Sequence, residues 1–297
     1  MTKDRITLYL VFSYLFAVIV LMVVKHVTIT PDRLFIFFLI AALALGKGKI
    51  FLRDWLPFLI LLLSYEFLRG FADSFGSHVN ITNIIAWEKS IFGFVPTVML
   101  QESFYQPGHL NWYDIVAVTV YFLHFPLPLI GAFYLWIKDK KQYWKFVISL
   151  LILSFSAFLT FLIFPAAPPW LASKEGYLPG VQKIIENILS SLGTSWNLSY
   201  LYTNLNPNPV AAIPSLHAAY PWLLLLSLSF FNRKWIFILL PYSVLVWLSL
   251  VYFGEHYVVD LIIGVTYATA SFLLVYRLRE IKRLFGFFKR GSFTSRN

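Results

Sequence analysis

Eight apolar runs dictate what this chain can fold into. They lie near Ile6–Val24, Leu34–Leu45, Trp55–Phe71, Ile115–Ile137, Trp144–Phe164, Val210–Phe230, Trp235–Phe253 and Tyr257–Tyr276. A helix needs about 20 apolar residues to cross a bilayer, because hydrocarbon offers the backbone no hydrogen-bond partner. The second run is short, and Pro126 with Pro128 predicts a kink in the fourth. No small-residue cleavage site follows the first run, so it reads as a retained helix rather than a signal peptide. With 59% hydrophobic and 13% charged residues among 297, the remainder cannot clothe a soluble core. The expected fold is all-α, a polytopic transmembrane bundle of about eight spans.

Charge sets the orientation. The formal net charge is +10, but the basic residues cluster in short loops between apolar runs, which argues against a nucleic-acid partner and for cytoplasmic loops. With a cytoplasmic N-terminus, 18 of the 24 Lys and Arg fall inside; Lys25, Arg33, Arg69, Lys89, Lys174 and Lys183 remain outside. Both termini are then cytoplasmic and the two long loops face out. Ala86–Gln101 is semi-apolar but holds Glu88, Lys89, Gly93 and Pro96, and reads as interfacial or re-entrant. Between Pro179 and Gly193, Val181, Ile184, Ile185, Ile188, Leu189 and Leu192 recur at helical spacing. That helix either lies on the outer leaflet or packs against the end of the bundle. The basic tail carries Phe285, Phe287 and Phe288 and suits an anionic cytoplasmic leaflet. The absence of cysteine excludes disulfides and thiolate chemistry.

The chemistry gathers at two helix mouths on the outer side. Pro214-Ser215-Leu216-His217 stands where a polar loop, Asn204–Pro209, enters the sixth span. The unpaired N–H groups of a first helical turn, with the positive end of the dipole, form a ready anion site. Gly254-Glu255-His256 opens the last span, and Asp260 follows one helical turn later, on the same face as His256. A carboxylate on one ring nitrogen fixes the tautomer and leaves the other as nucleophile or base. His124 inside the fourth span reads as a buried hydrogen-bonding or interface residue, with lining of the site as the lesser alternative, and His26, His78 and His109 as loop residues. Intramembrane Glu66 and Arg69 are costly unless paired or facing water; Arg69 and Lys89 either act at the site or pair with Glu66, Asp73 or Glu88, and the two readings stand level.

These motifs resemble the type 2 phosphatidic acid phosphatase (PAP2) superfamily, and within it the inositol phosphorylceramide synthase branch, over roughly Tyr65 to Tyr276. Pro214–His217 matches Pro-Ser-x-His, and His256–Asp260 matches His-x-x-x-Asp. Pro165-Ala166-Ala167-Pro168-Pro169-Trp170 is similar to the Ala-Pro-Pro-Trp element of the synthases; Leu68-Arg69-Gly70, Phe92-Gly93 with Pro96-Thr97, and His124-Phe125 are further, weaker matches. The phosphatases' basic residues are missing: none occurs between Lys145 and Lys174, and Ser249 is followed by Leu250. A dianionic monoester calls for an arginine clamp, whereas a lipid phosphodiester carries one charge. The departure points to head-group transfer.

The resemblance implies that His256 attacks phosphorus, Asp260 orients it and His217 protonates the departing hydroxyl, with Ser215, Arg69, Lys89, Pro168 and Trp170 as substrate-binding candidates. It implies a phospholipid donor, a hydroxyl-bearing acceptor, no metal and no cofactor. The expected organisation is N-terminal helices with an outer loop over 1–110, a PAP2-like core over 111–277 spanning the last five helices, and a basic tail over 278–297. A lipid phosphate phosphatase with water as acceptor is the alternative enzyme. A lipid transporter is the alternative of another class, disfavoured because the histidines sit at helix mouths and no internal repeat is seen.

Overall fold

The computed structural model describes Ser13 and residues 31–71, 79–191 and 208–277. The expected first span, His26, His78, Asp73, Leu192 and Gly193, residues 204–207 and the tail from 278 onward lie outside the described residues. Every regular element among the described residues is helical. In chain order they are α1 (Pro31–Ala44), α2 (Gly48–Phe71), α3 (Thr82–Phe92), α4 (Pro96–Phe104), α5 (Trp112–Leu123), α6 (Pro126–Lys138), α7 (Lys140–Ile163), α8 (Pro169–Lys174), α9 (Ile184–Ser191), α10 (Leu216–Phe231), α11 (Ile236–Tyr252) and α12 (Val258–Tyr276).

By length and composition α7, α12 and α11 with its preceding 3-10 turn can cross a membrane, and α5 with α6, bent by 49°, makes a fourth if the pair is one span. That bend is the expected proline kink, sharpened into a break: Pro126 has no N–H to continue the α5 ladder, so a new helix starts with it. Helices α1 and α10 are apolar but shorter. Helix α2 is long enough yet carries Lys49, Arg53, Asp54, Glu66 and Arg69. Residues 86–101 form parts of α3 and α4, separated at Gly93 with φ 78° and Val95–Pro96. At 1.5 Å per residue they reach roughly 17 and 14 Å, about half of a bilayer core each.

Helix α10 occupies the centre, packed against α7, α11 and α12. Its Leu223 and Leu224 are fully buried, together with Phe133, Leu153 and Ala268 from the surrounding helices. At the end away from the histidines, buried Asp54 on α2 accepts from Trp136 Nε1 at 2.9 Å and Lys140 Nζ at 2.6 Å, and Tyr143 donates to its carbonyl. Those bonds tie α2 to α6 and α7. Helix α9 buries Ile184, Ile185, Ile188 and Leu189 against Ala117, Val118 and Leu250. Of its two readings, packing against the end of the bundle is the one found, because that apolar face is already covered by protein.

Two glycines record how closely the helices approach. A Cβ on Gly264 of α12 would lie 2.3 Å from the carbonyl oxygen of Ser215, whereas one on Gly131 of α6 would meet the tip of the Leu224 side chain at 2.3 Å. Backbone cannot step aside as a leucine methyl can. Gly264→Ala is therefore expected to cost about 1–3 kcal/mol, read as a lower melting temperature in detergent, and Gly131→Ala clearly less. Equal melting temperatures for the two variants would refute the close approach.

Candidate active site

The loop before α10 is built into the protein by short backbone pairings. Ala166 N donates to Val210 O at 2.7 Å, Ala212 N to Ala166 O at 3.2 Å, and Asn80 N to Pro165 O at 2.9 Å. The Ala-Pro-Pro segment thus lies between residues 79–80 and the strand-like entry to Pro214. Buried Pro168 caps α8, and Trp170 N donates to Gly254 O at 3.0 Å. That bond joins the Ala-Pro-Pro-Trp element to the turn before His256. The Trp170 ring sits under Lys183, whose Nζ is 4.3 Å from the ring centroid. Gly254 takes φ 75°, which strains any side chain, and a Cβ there would also lie a tight 3.0 Å from Gln182 O.

Ser215 caps α10 by accepting from Ala218 N at 3.3 Å, and its own N–H donates to Asp260 O at 3.1 Å. The cap satisfies Ala218 N, and a first helical turn of this kind, with its remaining N–H groups outside the helical ladder, favours an anion. The two helix mouths are thereby joined through their main chains. Across that junction His217 Nδ1 lies 3.0 Å from His256 Nε2, and His256 Nδ1 lies 3.3 Å from Asp260 Oδ2. The same carboxylate oxygen accepts from Tyr257 N at 2.9 Å. Its other oxygen, Oδ1, is buried with no partner among the described residues. His256 and Asp260 are buried, and His217 is partly exposed.

An aromatic wall holds His217. Tyr121 stacks on its ring at 5.6 Å and 29°, His124 meets it edge-on at 4.6 Å and Phe125 at 6.1 Å. Trp247 Nε1 donates to Ala218 O at 3.2 Å, fastening the start of α10 to α11. His124 is buried as expected and bonds through Nδ1 to Tyr121 O, and it also lines the site, the lesser of its two sequence readings. The signal was Pro126: a proline two residues on ends α5 beside the histidine.

Of the two cations singled out, Arg69 and Lys89, the structure brings only Arg69 near the histidines. Arg69 pairs with Glu66 at 3.0 Å, and its charge is felt at His217, His124 and Tyr121. Lys89 is exposed on α3. Its neighbour Glu88 is fully buried and accepts from Val258 N at 3.0 Å and Val259 N at 3.1 Å, across from α3 to the first turn of α12. Sequence reasoning had weighed Glu88 only as a partner for a cation. Among the described residues no group of three or more His, Cys, Asp or Glu side chains could hold a metal ion.

Residues 82–274 match the family model described as the PAP2 superfamily. The chain is 27% identical to phosphoinositol dihydroceramide synthase of Bacteroides thetaiotaomicron over 79% of this chain and 80% of the relative. It is 28% identical to the inositol phosphorylceramide synthase catalytic subunit of Schizosaccharomyces pombe over 56% of this chain, which spans 41% of that relative. No solved structure matches the chain.

The Asp260–His256 contact makes a direct prediction. Asp260→Asn preserves the size of the side chain but removes the charge that holds a proton on His256 Nδ1. Turnover should fall about 10²- to 10⁴-fold while the melting temperature in detergent stays within a few degrees. Retained turnover would remove Asp260 from the site.

Proposed function

Because the chain belongs to the PAP2 superfamily, we propose that it is a multi-pass membrane phosphotransferase that moves a phosphoinositol head group from a phospholipid to a hydroxyl of a ceramide-like acceptor. The observation that carries this reading is the line Asp260–His256–His217, with contacts of 3.3 and 3.0 Å. The two relatives, synthases of phosphoinositol dihydroceramide and inositol phosphorylceramide, support the transferred group and the acceptor class.

The hydrogen bonds support the following roles. With Nδ1–H of His256 directed at Asp260, its Nε2 carries a lone pair, and that lone pair faces His217 Nδ1. In the resting site a proton on His217 Nδ1 bridges the two rings. A phosphodiester enters between them, its unesterified oxygens on the first N–H groups of α10 and in the field of Arg69. His256 Nε2 then bonds to phosphorus as the bond from phosphorus to the diacylglycerol oxygen breaks, and His217, which takes up an Nε2 proton from solvent as the anionic diester binds, gives that oxygen its Nδ1 proton. In the second step the acceptor hydroxyl gives its proton to His217 and attacks phosphorus, and the Nε2–P bond breaks. Two displacements return every proton to its starting atom, and Asp260 stays ionised throughout, stabilising the His256 cation. A monoanionic diester needs no more than one guanidinium, consistent with the missing phosphatase arginines.

The reading also includes a bundle of eight spans with both termini cytoplasmic and the histidines on the non-cytoplasmic face. Its support is the basic-residue asymmetry, above all the thirteen inward-placed charges of the C-terminal half against Lys174 and Lys183. Its domains are residues 1–110, a catalytic core over 111–277 that α3 and α4 extend on the outer side, and a basic tail over 278–297. Pro168 and Trp170 support the His256 turn, and Ser215 caps the anion-binding helix.

The test is product analysis. Purified protein in vesicles of phosphatidylinositol and ceramide should yield inositol phosphorylceramide and diacylglycerol in equal amounts by mass spectrometry. His256→Ala should yield neither while remaining folded. Release of phosphate from phosphatidic acid with no transfer from the inositol lipid would make the protein a phosphatase, and unchanged lipid masses would make it a transporter.

A further inference from the structure

We propose that Glu88 is a positioning residue for the nucleophile, clamping the first turn of α12 from outside and placing a second carboxylate charge beside the His256–Asp260 pair. The proposal rests on the transferase reading for its chemistry but on geometry for its evidence. Glu88 is 0% exposed, and each of its oxygens takes one backbone N–H, from Val258 and from Val259. Those residues stand between His256 and Asp260 in the chain. A buried carboxylate at a helix N-terminus satisfies orphan donors and complements the dipole, and here it fixes the rotation of the turn that presents both His256 and Asp260. The clamp comes from a separate helix, 170 residues away in sequence, so it also sets the distance of that turn from α3.

The charged and titratable groups around Glu88 are few. From α12 it faces Asp260 and Tyr257, both coupled to it electrostatically; on its own helix Lys89 is exposed. Burial pushes the Glu88 carboxyl up to about 7, against the two N–H bonds, and the Asp260 charge adds to the rise. The fold therefore holds this proton between about pH 4.5 and 7, where an unfolded chain would release it. Ionisation costs overall stability as pH rises through that window, while it strengthens both hydrogen bonds and adds a negative charge that favours a positively charged His256. Turnover should accordingly rise as Glu88 ionises.

Two measurements test this. In the rate–pH profile of the transferase, Glu88→Gln should lose the rise near pH 7 and fall about 10- to 100-fold in kcat, with KM within about twofold. A residue that only holds the fold together would lower the melting temperature and leave the shape of the profile unchanged, and a superimposable profile overturns the proposal. The second readout needs no activity. Carboxyl carbon NMR of protein labelled with carbon-13 glutamate, with Glu88 assigned by its loss in E88Q, or in E88D should E88Q not fold, should show Glu88 titrating near 7. In Asp260→Asn its midpoint should move down by about 1 unit, since a like charge is removed. An unmoved midpoint overturns the coupling even if the substrate proves to be something other than an inositol lipid, and a shifted midpoint upholds it in that case.

Discussion

The start of α10 and the start of α12 are joined by one main-chain hydrogen bond, Ser215 N to Asp260 O at 3.1 Å, and the site depends on that junction. It forms only because α12 presents Gly264 where any Cβ would strike the Ser215 carbonyl. With the mouths at this separation, two imidazoles from residues 39 apart in sequence meet at 3.0 Å. Spread the helices by one carbon atom and the rings lose each other, however well the motifs are preserved.

Around the junction, every neighbouring element contributes a restraint of a kind suited to a membrane protein. Polar main-chain groups cannot be left bare near hydrocarbon, so the irregular segments are bonded to one another: Asn80 to Pro165, Ala166 to Val210, Trp170 to Gly254. The broken span places His124 and Phe125 at a helix end, where they wall in His217. Gln101 of α4 bonds to the carbonyls of Gln182 and Tyr252, both at 2.9 Å, so the outer loop and the end of α11 are also tied together. The reacting side chains themselves make few bonds, and the scaffold that holds them makes many.

Much of this was legible in the sequence, for identifiable reasons. Hydropathy marks α7, α11 and α12 because lipid imposes a length and composition on any crossing helix. His256 and Asp260 were readable as a pair because they lie one helical turn apart, and His217 because Pro214 and Ser215 mark a helix mouth, but the meeting of the two rings across 39 residues of chain was not. The contact of His124 with His217 was only the lesser reading, since it is made across 93 residues of chain and depends on how Pro126 turns α6. Glu88 was hidden for a similar reason: nothing local distinguishes a carboxylate that caps a distant helix from one that pairs with a neighbouring lysine. The choice between membrane surface and protein for the face of α9 turned on whether Ala117, Val118 and Leu250 present a matching apolar surface, which no periodicity reports.

The central claim is that His256 carries the head group between donor and acceptor. It is tested most directly by mixing the protein with phosphatidylinositol labelled in its phosphate, quenching in alkali, where a phosphoramidate bond survives, and locating the label by peptide mass spectrometry. The account predicts inositol phosphate on the imidazole of His256, absent in His256→Ala and discharged on adding a ceramide-like acceptor. Turnover that proceeds with no labelled protein, or with the label on His217, would contradict it.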